Sequence, residues 1–390
     1  MKVYLDNGST TPVLKEVVEA MLPFYTEKYG HALFPYSLGR EAHDAVEASK
    51  QAIAETINAP STGVVFVSSG TEANDVALRG VAYANRRRGK HVITTKIENP
   101  SVLRVTEVLE KEGFKVDYLD VDREGFVDLN QLSEKVNDET ILVSVMHVND
   151  EIGTIEPIRE VSEILKERNP NVYLHVDAAA SYGKVRVDFE KIGADLLSLS
   201  AHKVHGPKGI GALVVREGVD VEPIEHGYIS LSRLKPGTEN IPGIVGFGKA
   251  AEIISKEFDS SVNRMVKLRD KLIKGIQERI PDVVLHGPTG GRRSPANVNF
   301  SFKYVEGESI MLHLDLRGIT VATGSACATR KLEPSHVLTA VGVRPEVAHG
   351  AVRFTLSKLN TEEEIDYVLE ELPKVIEGLR RISPIRPGAF

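Results

Sequence analysis

The stretch Ser198-Leu-Ser-Ala-His-Lys-Val-His-Gly-Pro-Lys-Gly-Ile-Gly211 decides how this chain is read. Residues 195–199 form a mostly apolar run of strand length, and residues 200–203 leave it in small and polar side chains. Open α/β sheets place ligands beyond the carboxyl ends of their strands. A lysine at such an end, Lys203, followed by glycines that let the backbone turn, suits presentation to a carbonyl carbon as a Schiff-base amine. Read alone, the same lysine also fits a solvated side chain beside a Gly-Pro turn. Two neighbouring features are set aside. Gly206-x-x-Gly209-x-Gly211 lacks the preceding strand in register and the Gly-Lys-Ser/Thr that nucleotide fingerprints need. His202 and His205 stand three apart, but Gly206-Pro207 breaks any helix there and the chain holds one cysteine, which argues against a zinc site; no metal is expected.

Outward from this stretch the chain alternates strand and helix patterns. Strands are predicted at 64–67, 91–94, 115–119, 141–146, 172–175 and 196–199, with helices at 12–25, 40–58 and 72–85. Such alternation predicts a mainly parallel sheet with helices on both faces. The composition changes after about residue 241. Residues 243–280 read as a helical connector with a break at 256–259, and 296–302, 309–316 and 352–356 predict a smaller α+β domain. An acidic-to-basic helix at 361–381 closes it, its charges suited to the helix dipole. The expected division is 14–255 for a large domain, with 1–13 and 256–390 forming a small one. The tail 384–390 is expected to be loosely attached.

Composition narrows the function classes. At 390 residues the chain is long enough for a large core and two domains. With 48 Lys+Arg against 55 Asp+Glu, the formal charge of -7 gives no general attraction to nucleic acid or anionic lipid. No apolar run approaches the roughly 18 to 20 residues of a membrane span, and the N-terminus has no signal-peptide core, so a cytoplasmic location is expected. A single cysteine, Cys327, excludes an internal disulfide.

Three features share one predicted sheet edge. Ser69-Gly70-Thr71 lies between a strand and a helix, where its backbone amides and the Thr71 hydroxyl form either a phosphate cradle or an ordinary N-cap made by Thr71. Asp177 ends an apolar strand, as a helix cap or as the partner of a protonated heteroaromatic nitrogen. With Lys203 these are the parts needed to hold pyridoxal 5'-phosphate, and the combination is far more specific than any member.

On these residues the chain resembles the cysteine desulfurases of iron-sulfur-cluster assembly, within the class V aminotransferase group of fold-type I pyridoxal-phosphate enzymes. The matching residues run from Tyr4-Leu-Asp6 and Thr10-Thr-Pro12 through Ser69-Gly-Thr-Glu72, His147-Val-Asn-Asp-Glu-Ile-Gly153, His175-Val-Asp177 and Ser200-Ala-His-Lys203. They continue to Val305-Glu-Gly-Glu308, Thr323-Gly-Ser-Ala-Cys-Ala328, Glu333-Pro-Ser-His336 and Arg353-Phe354, covering nearly the whole chain in order. The resemblance implies a large domain with a mainly parallel seven-stranded sheet plus a smaller α+β domain. It implies a homodimer that converts L-cysteine, or a related amino acid, to alanine and supplies sulfur to a scaffold or acceptor protein. By the same resemblance Lys203 carries the cofactor, Asp177 pairs with its ring nitrogen, and Thr71, Ser200, His202 and the Gly70 backbone bind its phosphate. Thr238 reaches the neighbouring subunit's phosphate, and Arg353 clamps the substrate carboxylate, unless it serves only a structural ion pair. Cys327 takes the sulfur as a persulfide. A lone cysteine is often a buried small hydrophobe, but the basic stretch Gly324-Ser-Ala-Cys-Ala-Thr-Arg-Lys331 reads as a mobile loop that favours the thiolate.

The chain departs from the family pattern at the wall of the cofactor ring. Asn99 stands where the family has a stacked histidine, Asp150 where an asparagine donates to the cofactor, and Ala180 where a glutamine is usual. All three are expected to face the same ring. Asn99 is no acid or base near neutral pH, ionised Asp150 only accepts hydrogen bonds, and Ala180 removes a donor. His147 and His205 are the candidates to replace the absent histidine. The altered wall leaves open a different pyridoxal-phosphate reaction, such as another β-elimination or an aminotransfer, or a weakened sulfur-assembly scaffold.

Overall fold

After a short first strand, β1 (Val3–Tyr4), the central sheet is built from β2 (Val64–Val67), β3 (His91–Thr95), β4 (Lys115–Leu119), β5 (Thr140–Met146), β6 (Tyr173–Asp177), β7 (Leu196–Ser200) and β8 (Gly211–Val215) in the computed structural model, which describes residues 1–323 and 334–384. Their spatial order is β2-β8-β7-β6-β5-β3-β4. β3 to β7 pair in parallel, whereas β8 runs antiparallel to both β7 and β2. Every residue of β3, β5 and β7 is buried, as expected where helices cover both faces of a parallel sheet. Six of these strands carry clear apolar runs in the sequence. The seventh, β8, follows directly on the glycine-rich stretch, which masks it.

Register fixes the working edge. Met146 lies opposite Asp177, Asp177 opposite Ser198, and Ser200 opposite Gly211. The last residues of β5, β6 and β7 therefore emerge together at one rim.

A second layer contains β9 (Val283–Leu285), β10 (Asn297–Phe302), β11 (Ile319–Thr320), β12 (Ala322–Thr323) and β13 (Ala351–Thr355). The antiparallel order is β12-β13-β10-β9, and β1 joins β11 in parallel. The chain start thus belongs with this layer: Val3 and Leu5 pack in one core with Leu272, Phe300, Phe354 and Leu372. The closing helix Glu362–Ile382 begins with a capping box in which Thr361 and Glu364 satisfy each other's amides.

The two layers share one helix. Ile241–Arg279 spans 39 residues; Ile244, Phe247 and Ala251 pack into the core of the large sheet, and Met265, Leu268 and Leu272 into the second core. The break predicted at 256–259 is absent. Lys256-Glu-Phe-Asp contains neither proline nor glycine and is compatible with helix. Its polarity marks an exposed waist, where Asp259 pairs with Arg186 at 2.8 Å and Glu257 with Lys358 at 2.7 Å. The predicted helix at 12–25 is instead split into Lys15–Met21 and Pro23–Thr26, with Pro23 at the first position of the second piece. Among the described residues no helix is long and apolar enough to cross a membrane.

Candidate active site

The rim beyond β5, β6 and β7 encloses a cavity of about 220 Å³ lined by Ser69, Gly70, Thr71, Asn99, Asp150, Asp177, Ala180, Ser200, His202 and Lys203, among others. The sequence therefore brought together nearly all the candidates it named from the described residues. Thr238 lies elsewhere, on an exposed segment lining a different pocket with Lys235 and Leu231. Cys327 lies outside the described residues.

The strand-to-helix turn differs from expectation in one useful respect. Helix Gly70–Asn85 is capped by Ser69, not Thr71: the Ser69 hydroxyl accepts from the Glu72 amide at 3.1 Å, while the Ser68 amide donates to the Glu72 carboxylate at 2.5 Å. Thr71 is consequently an exposed helical residue whose hydroxyl is not used in the cap. A Cβ at Gly70 would stand 3.4 Å from Ser200 Cβ and 3.6 Å from Ala179 Cβ, so glycine keeps the cradle open. Across it, Ser200 Oγ is buried and has no hydrogen-bond partner among the described residues. A buried hydroxyl left so is costly unless something else supplies the bond.

Asp177 is buried, and each of its carboxylate oxygens accepts one hydrogen bond. Oδ1 accepts from the Ala179 amide at 2.9 Å and Oδ2 from Asn74 Nδ2 at 2.8 Å. Burial raises its pKa, with these two donors opposing the shift. Asn74 and Ser101, which donors and acceptors link to Asp177, were not found from the sequence. The available signal was a polar residue on the buried face of helix Gly70–Asn85, among Ala73, Val76 and Ala77.

Lys203 ends a single 3-10 turn, Ala201–Lys203, after β7. Its amine donates to the Gly8 carbonyl. Burial lowers its pKa, Arg353 in the same direction, while Asp150, Asp177 and Asp6 oppose. His202 Nδ1 lies 3.2 Å from Thr10 Oγ1, and burial with three nearby lysines pushes its pKa down to about 4, so the ring is neutral near pH 7.

On the wall, Asn99 is the N-cap of helix Pro100–Lys111: its Oδ1 accepts from the Ser101 amide at 3.0 Å and the Ser101 hydroxyl at 2.8 Å. Asp150 faces Arg353, with Oδ2 3.5 Å from the guanidinium, and Arg353 also donates to the Asp150 carbonyl at 3.2 Å. Arg353 further donates to Ser9 Oγ at 3.0 Å and stands 3.4 Å from Asp6 Oδ1. It is not itself a lining residue, but stands next to the cavity through Ser9 and Asp150, with its planar fork held by these two and Asp6. Neither histidine proposed as a replacement reaches the cavity. His147 is buried outside its lining, its Nδ1 without a partner among the described residues and its pKa pushed down to about 4 by burial, and His205 Nδ1 lies 2.9 Å from the Pro12 carbonyl. The β5 exit points Met146 and Val148, not His147, into the space.

The fold and this rim define a class. The aminotransferase class-V family matches residues 3–368. The chain is 50% identical over 385 residues to a cysteine desulfurase IscS of Dictyoglomus turgidum, covering 99% of this chain and 97% of the relative. It is 47% identical over 389 residues to a cysteine desulfurase IscS of Methanosarcina thermophila, covering 100% and 95%. The solved structure of a NifS-like protein superposes with a TM-score of 0.92 at 37% identity, over 97% of this chain and 100% of that one. The chain belongs to the cysteine desulfurases of the class-V aminotransferase family.

Proposed function

We propose that this protein is a pyridoxal-phosphate-dependent cysteine desulfurase that converts L-cysteine to L-alanine and passes the sulfur to Cys327 as a persulfide, for iron-sulfur clusters or thiolated products. The observation that carries the reading is the cavity itself: a lysine, a buried carboxylate and a buried hydroxyl that has no partner among the described residues converge in one space beside a helix N-terminus. These residues fit the cofactor. Among the described residues Ser200 Oγ lacks the partner that a phosphate oxygen would supply, and the first amides of helix Gly70–Asn85 have no intrahelical acceptor.

Thr71, Ser200 and the Gly70 amide hold the phosphate, with neutral His202 contributing a hydrogen bond and no charge. Asp177 holds the ring nitrogen, a cation there countering the burial that disfavours the carboxylate. Bound there, the cofactor supplies an electron sink for the bond-breaking at the substrate Cα. Lys203 would anchor the cofactor, and its amine takes the Cα proton of the bound substrate; its lowered pKa keeps more of the amine neutral for that step. Arg353 clamps the substrate carboxylate with its planar fork. The Cys327 thiolate attacks the substrate sulfur. The carbon-sulfur bond breaks, a sulfur-sulfur bond forms, the carbon end takes a proton to become the methyl of alanine, and the Lys203 amine returns the proton to Cα.

The wall is compatible with this reaction. Asn99 serves the helix cap, and the charge of Asp150 is shared with Arg353. The working unit is a homodimer in the cytoplasm, in which Thr238 reaches the partner subunit's phosphate site. The exposed set Leu22, Tyr25, Tyr29, Phe34 and Tyr36 supports a covered face of this kind. The domains divide as 14–255 against 1–13 with 256–390.

Borohydride reduction of the cofactor-loaded protein followed by peptide mapping tests the anchor: the pyridoxyl group is expected on Lys203, and labelling of Lys208 instead would overturn the site. Incubation with L-cysteine is expected to yield alanine and a persulfide on Cys327. Release of a keto acid in place of alanine would show a different reaction on this scaffold.

A further inference from the structure

Lys184 is a buried lysine that the proposed chemistry does not use. It is 7% exposed, and no carboxylate among the described residues hydrogen-bonds or ion-pairs with it. Its amine instead donates to the main-chain carbonyl of Lys203 at 3.1 Å. Lys203 is thereby held at both ends, its carbonyl by Lys184 and its amine by the Gly8 carbonyl. Gly183, at φ 72°, brings the two segments together: a Cβ there would stand 2.9 Å from a methyl of Val204, the residue after Lys203.

The two amines also border one small cavity together with Asp150, Ala180 and Gly8. Behind them lies a second, lined by both lysines with His205, Glu257 and Lys358. These, with His202, are the charged or titratable groups that face Lys184 from the surrounding elements. Burial first, then the charge of Lys203, push the Lys184 pKa down to about 7, with Asp150 opposing. A lysine buried without an acid costs free energy that an apolar side chain of similar length would not.

We propose that Lys184 is a positioning residue for Lys203, holding the carbonyl of the turn that presents the reactive amine. This rests on the reading of Lys203 as the cofactor's anchor. The full-length protein stripped of cofactor provides the test. An amine-reactive acylating reagent applied across a pH series, with the modification of Lys203 read by peptide mapping, gives the pH midpoint of that amine. Covalent attachment of added pyridoxal phosphate, trapped by borohydride, gives the rate of anchoring.

In Lys184→Met the Lys203 midpoint is expected to shift by about half a unit or more, since the turn no longer holds the amine at its place among Asp150, Arg353 and Asp177. Attachment is expected to slow by about tenfold or more, since the turn is no longer held. Lys184→Arg, which keeps a donor at this place, is expected to leave the midpoint and the attachment rate near the native values. An unchanged midpoint in Lys184→Met would reduce Lys184 to a packing residue and overturn the inference. Should Lys184→Met fail to fold, Lys184→Gln, neutral and polar, takes the same two measurements with the same criteria. Attachment at another lysine in the native protein would overturn the anchor reading instead, so the two failures are distinguishable.

Discussion

The floor of the cavity and its wall commit their polar atoms differently. On the floor, Ser200 Oγ and Asn74 Oδ1 are buried without partners among the described residues. On the wall, Asn99 spends its carbonyl oxygen on a helix cap, and Asp150 shares its charge with Arg353. An open valence that lines a ligand-sized cavity is available to a ligand; a filled one serves the scaffold. Of the wall residues that depart from the family pattern, Asn99 and Asp150 are engaged in this way and Ala180 has no polar side-chain atom, so we expect their identities to bear on stability and charge balance more than on bond-breaking.

Four substitutions test this contrast, the largest effect first. Cys327→Ser is expected to abolish persulfide formation while leaving the cofactor's absorbance band intact, because no other cysteine exists to substitute. Full desulfurase activity in the serine variant, without added thiol, would remove Cys327 from the mechanism. On the floor, Asp177→Asn is expected to lower cysteine turnover by roughly a hundredfold or more through loss of the charge beneath the ring. A change of less than about threefold would mean that the floor carboxylate is scaffold like the wall.

Glu156 is a control away from both. It is buried, with one oxygen accepting from the Val127 amide at 3.0 Å and the other partnerless among the described residues, and burial pushes its pKa up to about 8. The folded protein therefore keeps a proton that the unfolded chain releases above about pH 4.5. The associated stability is complete below that point and is lost as pH rises through 8. Glu156→Gln is expected to be close to neutral at pH 5 and stabilising at pH 9 by on the order of 2 to 4 kcal/mol. Melting curves at the two pH values check it; an equal offset at both would sink the assignment. Smallest is Asn99→Ala, expected to cost about 1 kcal/mol of stability through the lost cap, with cysteine turnover changing less than about threefold. A large fall in turnover without a fall in melting temperature would return Asn99 to the chemistry.

The floor was legible in the sequence because its residues sit at the ends of apolar runs, and a run of strand length fixes which residue exits the sheet. Val64–Val67 and Lys115–Leu119 carry the predicted boundaries unchanged, so the turns after the strands could be placed. Local competition was harder to read. Ser69 and Thr71 are both capping residues two apart, and only the bond from the Glu72 amide decides between them. Contacts between distant segments left no local signal: Arg353 meets Ser9 across 344 positions, and Lys184 meets Lys203 through a main-chain carbonyl that no side-chain pattern announces. At 256–259 a polar interval in the apolar pattern resembles a helix end, though here it is the passage from one core to another.

That passage makes helix Ile241–Arg279 a screw thread shared by two nuts. Each residue added at its exposed waist would turn everything beyond by about 100° and advance it by about 1.5 Å. The far end carries Met265, Leu268 and Leu272 into the core that also holds β13, and Arg353 rides on β13. A one-residue insertion at the waist would thus displace the second core against the strand ends that hold Lys203, spoiling the distance between Arg353 and the anchor lysine without touching either. The length of the waist is in this sense part of the active site's dimensions, although no side chain in it lines the cavity.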